Sequence, residues 1–182
     1  EEGVLRAAAT SRAEQDADVY FVVKTLTARN EERELGQGYL NLQTLLRDGR
    51  DALSTRVALQ GKAGSAGSLM VSLVAVEALR AATGETTASS GGRAVAGGRA
   101  SPRSQGVGAA AGASEVRVDV GSMVLAPTVK RDLEVANVWV EVDLLGLADA
   151  AQLRTKRMHK AAANLDFGFS VAVAVDAGSR EE

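Results

Sequence analysis

From Leu165 to Val175 the chain alternates without a break. Leu165, Phe167, Phe169, Val171, Val173 and Val175 are interleaved with Asp166, Gly168, Ser170, Ala172 and Ala174. A period of two over this length sends the two sets to opposite faces of an extended strand, and a helix seldom produces it. The pattern recurs along the chain. Val116, Val118 and Val120 alternate with Glu115, Arg117 and Asp119, and Val138, Val140, Val142 and Leu144 with Trp139, Glu141 and Asp143. Val19, Phe21 and Val23 alternate with Tyr20, Val22 and Lys24. Shorter signals sit at Leu40 and Leu42, at Val57 and Leu59, and at Leu69, Val71 and Leu73. Seven or so short strands with turn residues between them predict an all-β chain, an antiparallel β-sandwich.

The departures from alternation divide the chain. Residues 1–18 are rich in Ala, Glu and Arg and predict a short helical arm, too short to be stable alone. Gln43–Arg47 predicts a helical turn closed by Asp48-Gly49. Val76, Leu79 and Arg80 fall at helical spacing after the strand over 68–76. Residues 27–34 read as a charged connection and 61–67 as a hairpin-like turn. Gly36-Gln37-Gly38 lacks the third glycine and following helix of a dinucleotide fingerprint and reads as a strand-entry turn. Residues 84–114 hold eight glycines and no apolar periodicity, which predicts a disordered linker with a reach of about 30 Å. The expected organisation is therefore an arm (1–18), a strand-rich segment (19–83), a linker (84–114) and a second strand-rich segment (115–182).

Composition excludes several classes of chemistry. The chain has 182 residues, 21 basic and 23 acidic, so nothing in the total charge drives it toward nucleic acid. It has no cysteine, hence no disulfide or thiolate site, which is compatible with a reducing compartment. No apolar run reaches the length of a membrane-spanning helix. The chain begins with Glu and not Met, so a piece of a longer protein, or a processed product, is expected.

Few residues suggest a site. A calcium site needs several converging carboxylates, and the acids at Asp132 and Glu134, at Asp149, and at Glu31, Glu32 and Glu34 show no Asp-x-Asp spacing. No metal or cofactor is expected. His159 is the only histidine, so neither a His cluster nor a Ser/His/Asp arrangement can be built around a second, and no catalytic activity is expected. The run Arg154-Thr-Lys-Arg-Met-His-Lys160 is the strongest electrostatic feature. Arg154, Lys156, Arg157 and Lys160 are candidate contacts for an anionic lipid surface or an acidic partner; the plain alternative is a solvated connection. Trp139, opposite the Val138/Val140/Val142 stripe, is a candidate partner anchor, with packing as its other use. Ser101-Pro102-Arg103 is a common type of phosphorylation tripeptide.

Two stretches resemble the closing strands of a C2 domain: Gly36-Gln-Gly-Tyr-Leu-Asn-Leu-Gln-Thr-Leu-Leu-Arg-Asp-Gly49, and Gly67-Ser-Leu-Met-Val-Ser-Leu-Val-Ala-Val-Glu-Ala-Leu-Arg-Ala81. They are similar in particular to the C-terminal C2-type domain of the retinitis pigmentosa GTPase regulator-interacting protein family. Val116–Leu125, Val138-Trp-Val-Glu-Val-Asp-Leu144 and Leu165-Asp-Phe-Gly-Phe-Ser170 resemble the opening strands of the same domain type. The closing strands come first, so the chain reads either as a slice through tandem C2 units or as one permuted C2-like sandwich. The resemblance implies a non-catalytic protein-interaction module of a ciliary or basal-body scaffold. Its implied partners are ciliary GTPase-regulator or transition-zone proteins, and its implied location is cytoplasmic, at the cilium or basal body. The alternative function is a calcium-independent, peripheral membrane-binding C2 module that uses the basic run.

Overall fold

The computed structural model describes residues 2–84, 114–149, 151–162 and 165–175. The linker reading, apart from its end residues, and Ser101-Pro102-Arg103 lie outside these residues. Eight strands form one antiparallel sheet: β1 (Asp18–Leu26), β2 (Glu32–Asn41), β3 (Ala52–Gly61), β4 (Gly64–Val74), β5 (Ser114–Leu125), β6 (Asn137–Asp143), β7 (Met158–His159) and β8 (Leu165–Val175). Their order is β7-β6-β1-β2-β3-β4-β5-β8. Where two packed sheets were expected, the strands are continuous and the sheet curls toward a barrel.

The two strand-rich segments interleave. β1 pairs with β6 along Tyr20–Thr25, and β4 pairs with β5 from Gly67 to Val74. Each end of the sheet thus holds two strands from each segment. The ends meet at β2 and β3, which share the single register pair Gln37↔Gln60. One apolar cluster runs through the whole, and Val19, Phe21 and Val23 belong to it together with Leu165, Phe167 and Val175.

Glycine explains the tight seam between β2 and β3. A Cβ at Gly38 would lie 2.4 Å from Val57 Cγ1 and 2.6 Å from the Ala58 carbonyl oxygen, and one at Gly36 would lie 2.7 Å from Ala66 Cβ. Both residues sit in the middle of β2 and not at its entry, so the strand-entry reading is corrected: the bare backbone of Gly38 lets β3 approach, and that of Gly36 makes room for Gln60 of β3 and Ala66 of β4. The charged connection is shortened too, since Glu32, Arg33 and Glu34 already pair with β1. The hairpin after β3 is tighter than expected, with Gly61 opposite Gly64 and Gly67 inside β4.

Helices α1 (Glu2–Thr10), α2 (Leu42–Asp48) and α3 (Val76–Thr83) pack on one another. The arm is helical only to Thr10, with a 3-10 turn over Glu14–Ala17. It is held by tertiary contact: Leu5 and Ala8 are buried, and Arg6 Nε donates to the Ala82 carbonyl at 2.7 Å. Asn41 caps α2 by accepting from the Thr44 N–H at 3.0 Å, and its amide donates to Asp18 Oδ1 at 2.7 Å. Asp51 Oδ1 accepts from the N–H groups of Ala75 and Val76 at 2.8 and 2.9 Å, satisfying the start of α3. A short α4 (Pro127–Arg131) leads from β5 toward β6.

Candidate functional site

The basic run is not a free connection. Leu153 accepts from the Val142 N–H at 2.8 Å, and the Thr155 N–H donates to Val140 at 2.9 Å. The buried Thr155 hydroxyl accepts from the Val140 N–H at 3.0 Å. Met158 and His159 pair with Val138 and Asn137, and the Lys160 N–H donates to Ala136 at 2.9 Å. Residues 153–160 therefore line the outer edge of β6, and their cations lie along a sheet edge. Charged residues in this position discourage edge-to-edge pairing with another sheet.

Alternation along this edge places Arg154 opposite Glu141. Arg154 is ion-paired with Glu141, and it reaches Glu32 at 3.4 Å. Lys24, on the neighbouring β1, lies 2.6 Å from Glu141 and 3.6 Å from Glu32. Two cations and two carboxylates thus close on themselves. Burial pushes the Glu141 carboxyl up, but hydrogen bonds from Lys24 and Trp139 and the charges of Lys24 and Arg154 outweigh it and hold the pKa below the ordinary value. Its hydrogen bond to Glu141 raises Lys24 above the ordinary lysine value against the effect of burial.

Trp139 lies beside this cluster, on the face opposite the core stripe as its position in the strand predicts. It is nevertheless 0 % exposed. The guanidinium carbons of Arg157 and Arg154 lie 4.6 and 5.6 Å from its ring centroid, and its Nε1 donates to Glu141 Oε1 at 3.2 Å. The candidate anchor is a packed ring roofed by two arginines, so a partner reaches the indole only where those arginines are displaced.

The remaining candidates are scattered. The Lys160 ammonium donates to the Asp132 carbonyl, at the far end of the run from Arg154. Lys156 is exposed, and among the described residues it has no ion pair. Asp132 and Glu134, weighed as calcium ligands, instead grip Arg33 at 2.6 and 2.8 Å. The Arg33 hydrogen bond lowers the Asp132 pKa, and the Glu134 N–H adds to that. No group of three His, Cys, Asp or Glu that could hold a metal occurs among the described residues. His159 is exposed, and its Nδ1 accepts from the Ala161 N–H at 3.2 Å.

Sequence reasoning did not single out Lys24 and Glu141, and it treated Glu32 only as a loop acid. The alternation does put Lys24 and Glu141 on the polar faces of their strands. Nothing in the sequence says that those strands are neighbours.

The opposite edge of the sheet is β8, and its chemistry is different. Over eleven residues it carries one charge, Asp166, and no Lys, Arg or Pro. Phe169, Val171 and Val173 are half-buried at the margin of the core. A cleft of about 570 Å³ separates Ala172, Val173 and Ala174 from the loop that carries Gly146, Leu147, Ala148, Asp149 and Gln152. Among the described residues no strand pairs with the outer edge of β8.

No family model matches the chain, and neither a curated protein nor a solved structure matches it. Among the described residues, no helix is long and apolar enough to cross a membrane.

Proposed function

We propose that this chain is a non-catalytic protein-interaction module built on a C2-like β-sandwich. The interleaving of the two segments supports the C2-like reading. β7, β6, β1 and β2 make one four-stranded half, and β3, β4, β5 and β8 make the other, and the ladder joins them at the single register pair Gln37↔Gln60. Two such halves facing one another are what the reversed strand order of the resemblance calls for. A role in a ciliary or basal-body scaffold, with GTPase-regulator or transition-zone partners, rests on that resemblance.

The observation that carries the interaction reading is the contrast between the two edges. One is short and lined with cations, while β8 is long, carries only the charge of Asp166, and among the described residues has no strand on its outer edge. β8 bends at a bulge by Gly168 (φ 51), and the straight part of its edge, from Phe169 to Val175, is of the kind that accepts an extended segment through main-chain hydrogen bonds, with alternate side chains setting specificity. Titration with short extended peptides of alternating apolar sequence tests this. Saturable binding that is lost in Ala172→Lys is expected; no binding by any such peptide, or binding untouched by the substitution, overturns it.

A second reading, docking on an anionic membrane through Arg154–Lys160, is favoured by the exposure of Lys156 and Arg157 on one rim. Arg154 is already matched by Glu141 and Glu32, which reduces the charge a lipid surface would meet. Flotation with phosphatidylserine vesicles at low salt decides between the readings. Binding that survives chelator and is lost in Lys156→Ala/Arg157→Ala favours the membrane.

A further inference from the structure

We infer that the outer face of the sheet carries a shallow binding site for an uncharged carbohydrate, in a trough over the junction of β2 and β3. A cavity of about 430 Å³ lies there, and its lining includes Tyr20, Gln37, Tyr39, Arg56, Ala58 and Gln60. That volume is within the usual range for a small-ligand site. The ladder places the parts. Tyr39 stands opposite Tyr20 of β1, and Gln37 opposite Gln60 of β3. Val57 and Leu59 are in the core, so alternation turns Arg56, Ala58 and Gln60 outward beside Gln37 and Tyr39. The trough opens beside the single register pair of the seam, and Ala58 fills it with no more than a methyl group. The site lies on a face and not on an edge, so it is independent of the β8 reading above.

Three observations point to a sugar. Tyr39 is 57 % exposed even though the Tyr20 ring packs beside it, at 5.8 Å and tilted by 48°. The negative face of an open ring attracts the C–H groups along one side of a pyranose. Secondly, Gln37, Gln60, Arg56 and the Tyr39 hydroxyl have no hydrogen bond or ion pair among the described residues. Each glutamine amide offers both donors and an acceptor, the complement of hydroxyl groups that donate and accept. A polyproline segment also seeks aromatic grooves, but it has no N–H to give the glutamine oxygens. Thirdly, the charges disfavour an anion. Arg56 is the one charged residue of the lining, while Asp18 accepts from the Tyr20 hydroxyl at 3.3 Å and Asp143 lies opposite Tyr20. Two carboxylates behind that wall repel a phosphate or sulfate.

Titration of the full, isotope-labelled chain with uncharged trisaccharides of glucose, xylose, mannose, galactose and N-acetylglucosamine tests this by NMR. At least one should bind saturably, with dissociation at about 0.1–10 mM as suits a shallow site. It should shift the side-chain amide signals of Gln37 and Gln60 and the backbone signal of Tyr39. Tyr39→Ala should weaken that binding about tenfold, and Tyr39→Trp, which enlarges the ring, should tighten it. Ala58→Phe fills the trough without removing a contact and should abolish binding. Both positions are exposed, and circular dichroism checks the fold of each variant. Ala172→Lys on β8 should bind as the wild type does, so this site and the β8 reading fail separately; an equal loss there would place the sugar elsewhere and overturn the inference. No binding by any of these sugars overturns it, as does binding that Tyr39→Ala and Ala58→Phe leave unchanged. A decaproline peptide and a short heparin fragment go through the same titration. If either shifts these signals and no sugar does, the ligand class is wrong and the inference falls.

Discussion

Lys24 Nζ lies 2.6 Å from Glu141 Oε2, tying the second strand of the sheet to the third across residues 117 positions apart in the chain. The pair is shielded more than exposed, and Arg154, Glu32 and the Trp139 N–H complete its surroundings.

This arrangement gives stability a defined pH dependence. The folded Glu141 pKa is depressed, so its contribution is present above the ordinary value near 4.5 and is lost as pH falls through the lower, folded value. Glu141→Gln should lower stability at neutral pH by about 1–2 kcal/mol. The gap between wild type and variant should narrow as pH drops below about 4.5. Urea midpoints across an acid series read this out, and a gap that stays constant refutes it. Lys24 acts with the opposite sign: its contribution is complete below 10.5 and is lost as pH rises through its raised folded value.

Trp139 is the only tryptophan, so its fluorescence reports on one place. Its emission should be blue-shifted and protected from acrylamide in the folded chain. Arg157→Ala removes half the roof over the ring and should raise quenching with little loss of stability. Trp139→Ala should cost about 3–5 kcal/mol. An indole already open to quencher in the wild type contradicts the packing described.

Gly38→Ala should destabilise by about 1–3 kcal/mol, because the new methyl collides with Val57 and with the Ala58 carbonyl where the two halves of the sheet meet. Gly3→Ala is the control. Nothing lies within 4 Å of the place its new methyl would take on α1, and the change should be neutral or stabilising by up to about 1 kcal/mol. Thermal melts of the two variants should move apart, and equal shifts would argue against a tight seam.

A chain with residues 114–182 placed before 1–84 keeps every strand pairing described. It should melt cooperatively at close to the original temperature. Residues 114–182 alone should not fold, since β5 loses β4 and β6 loses β1. Independent, cooperative folding of either segment would show that the interleaved sheet is not the stable unit.

Much of the strand content was legible because a period of two is a local property. Val138, Val140 and Val142 face the core, and Trp139 faces away from that stripe, as alternation requires. The α3 helix was legible through the helical spacing of Val76 and Leu79, and the α2 turn at Gln43–Arg47, although Leu42, read with Leu40 as a strand residue, is the first residue of α2. Alternation says which face a side chain takes and says nothing about which strand lies beside it. Pairing partners therefore came only from the tertiary structure, and with them the Lys24–Glu141–Arg154–Glu32 cluster. The same applies to Glu32–Glu34. Their charges read as a connection, yet they sit in β2: the ladder to β1 satisfies their backbone, Glu32 pairs with Lys24 and Arg154, and Arg33 pairs with Asp132 and Glu134.

The order of residues alone dictates strands with one apolar face and a β8 that carries almost no charge. Only the assembled sheet puts the basic run along one edge and β8 along the other. The physical reason is that side-chain periodicity is written residue by residue, whereas an edge is defined by the neighbour a strand does not have.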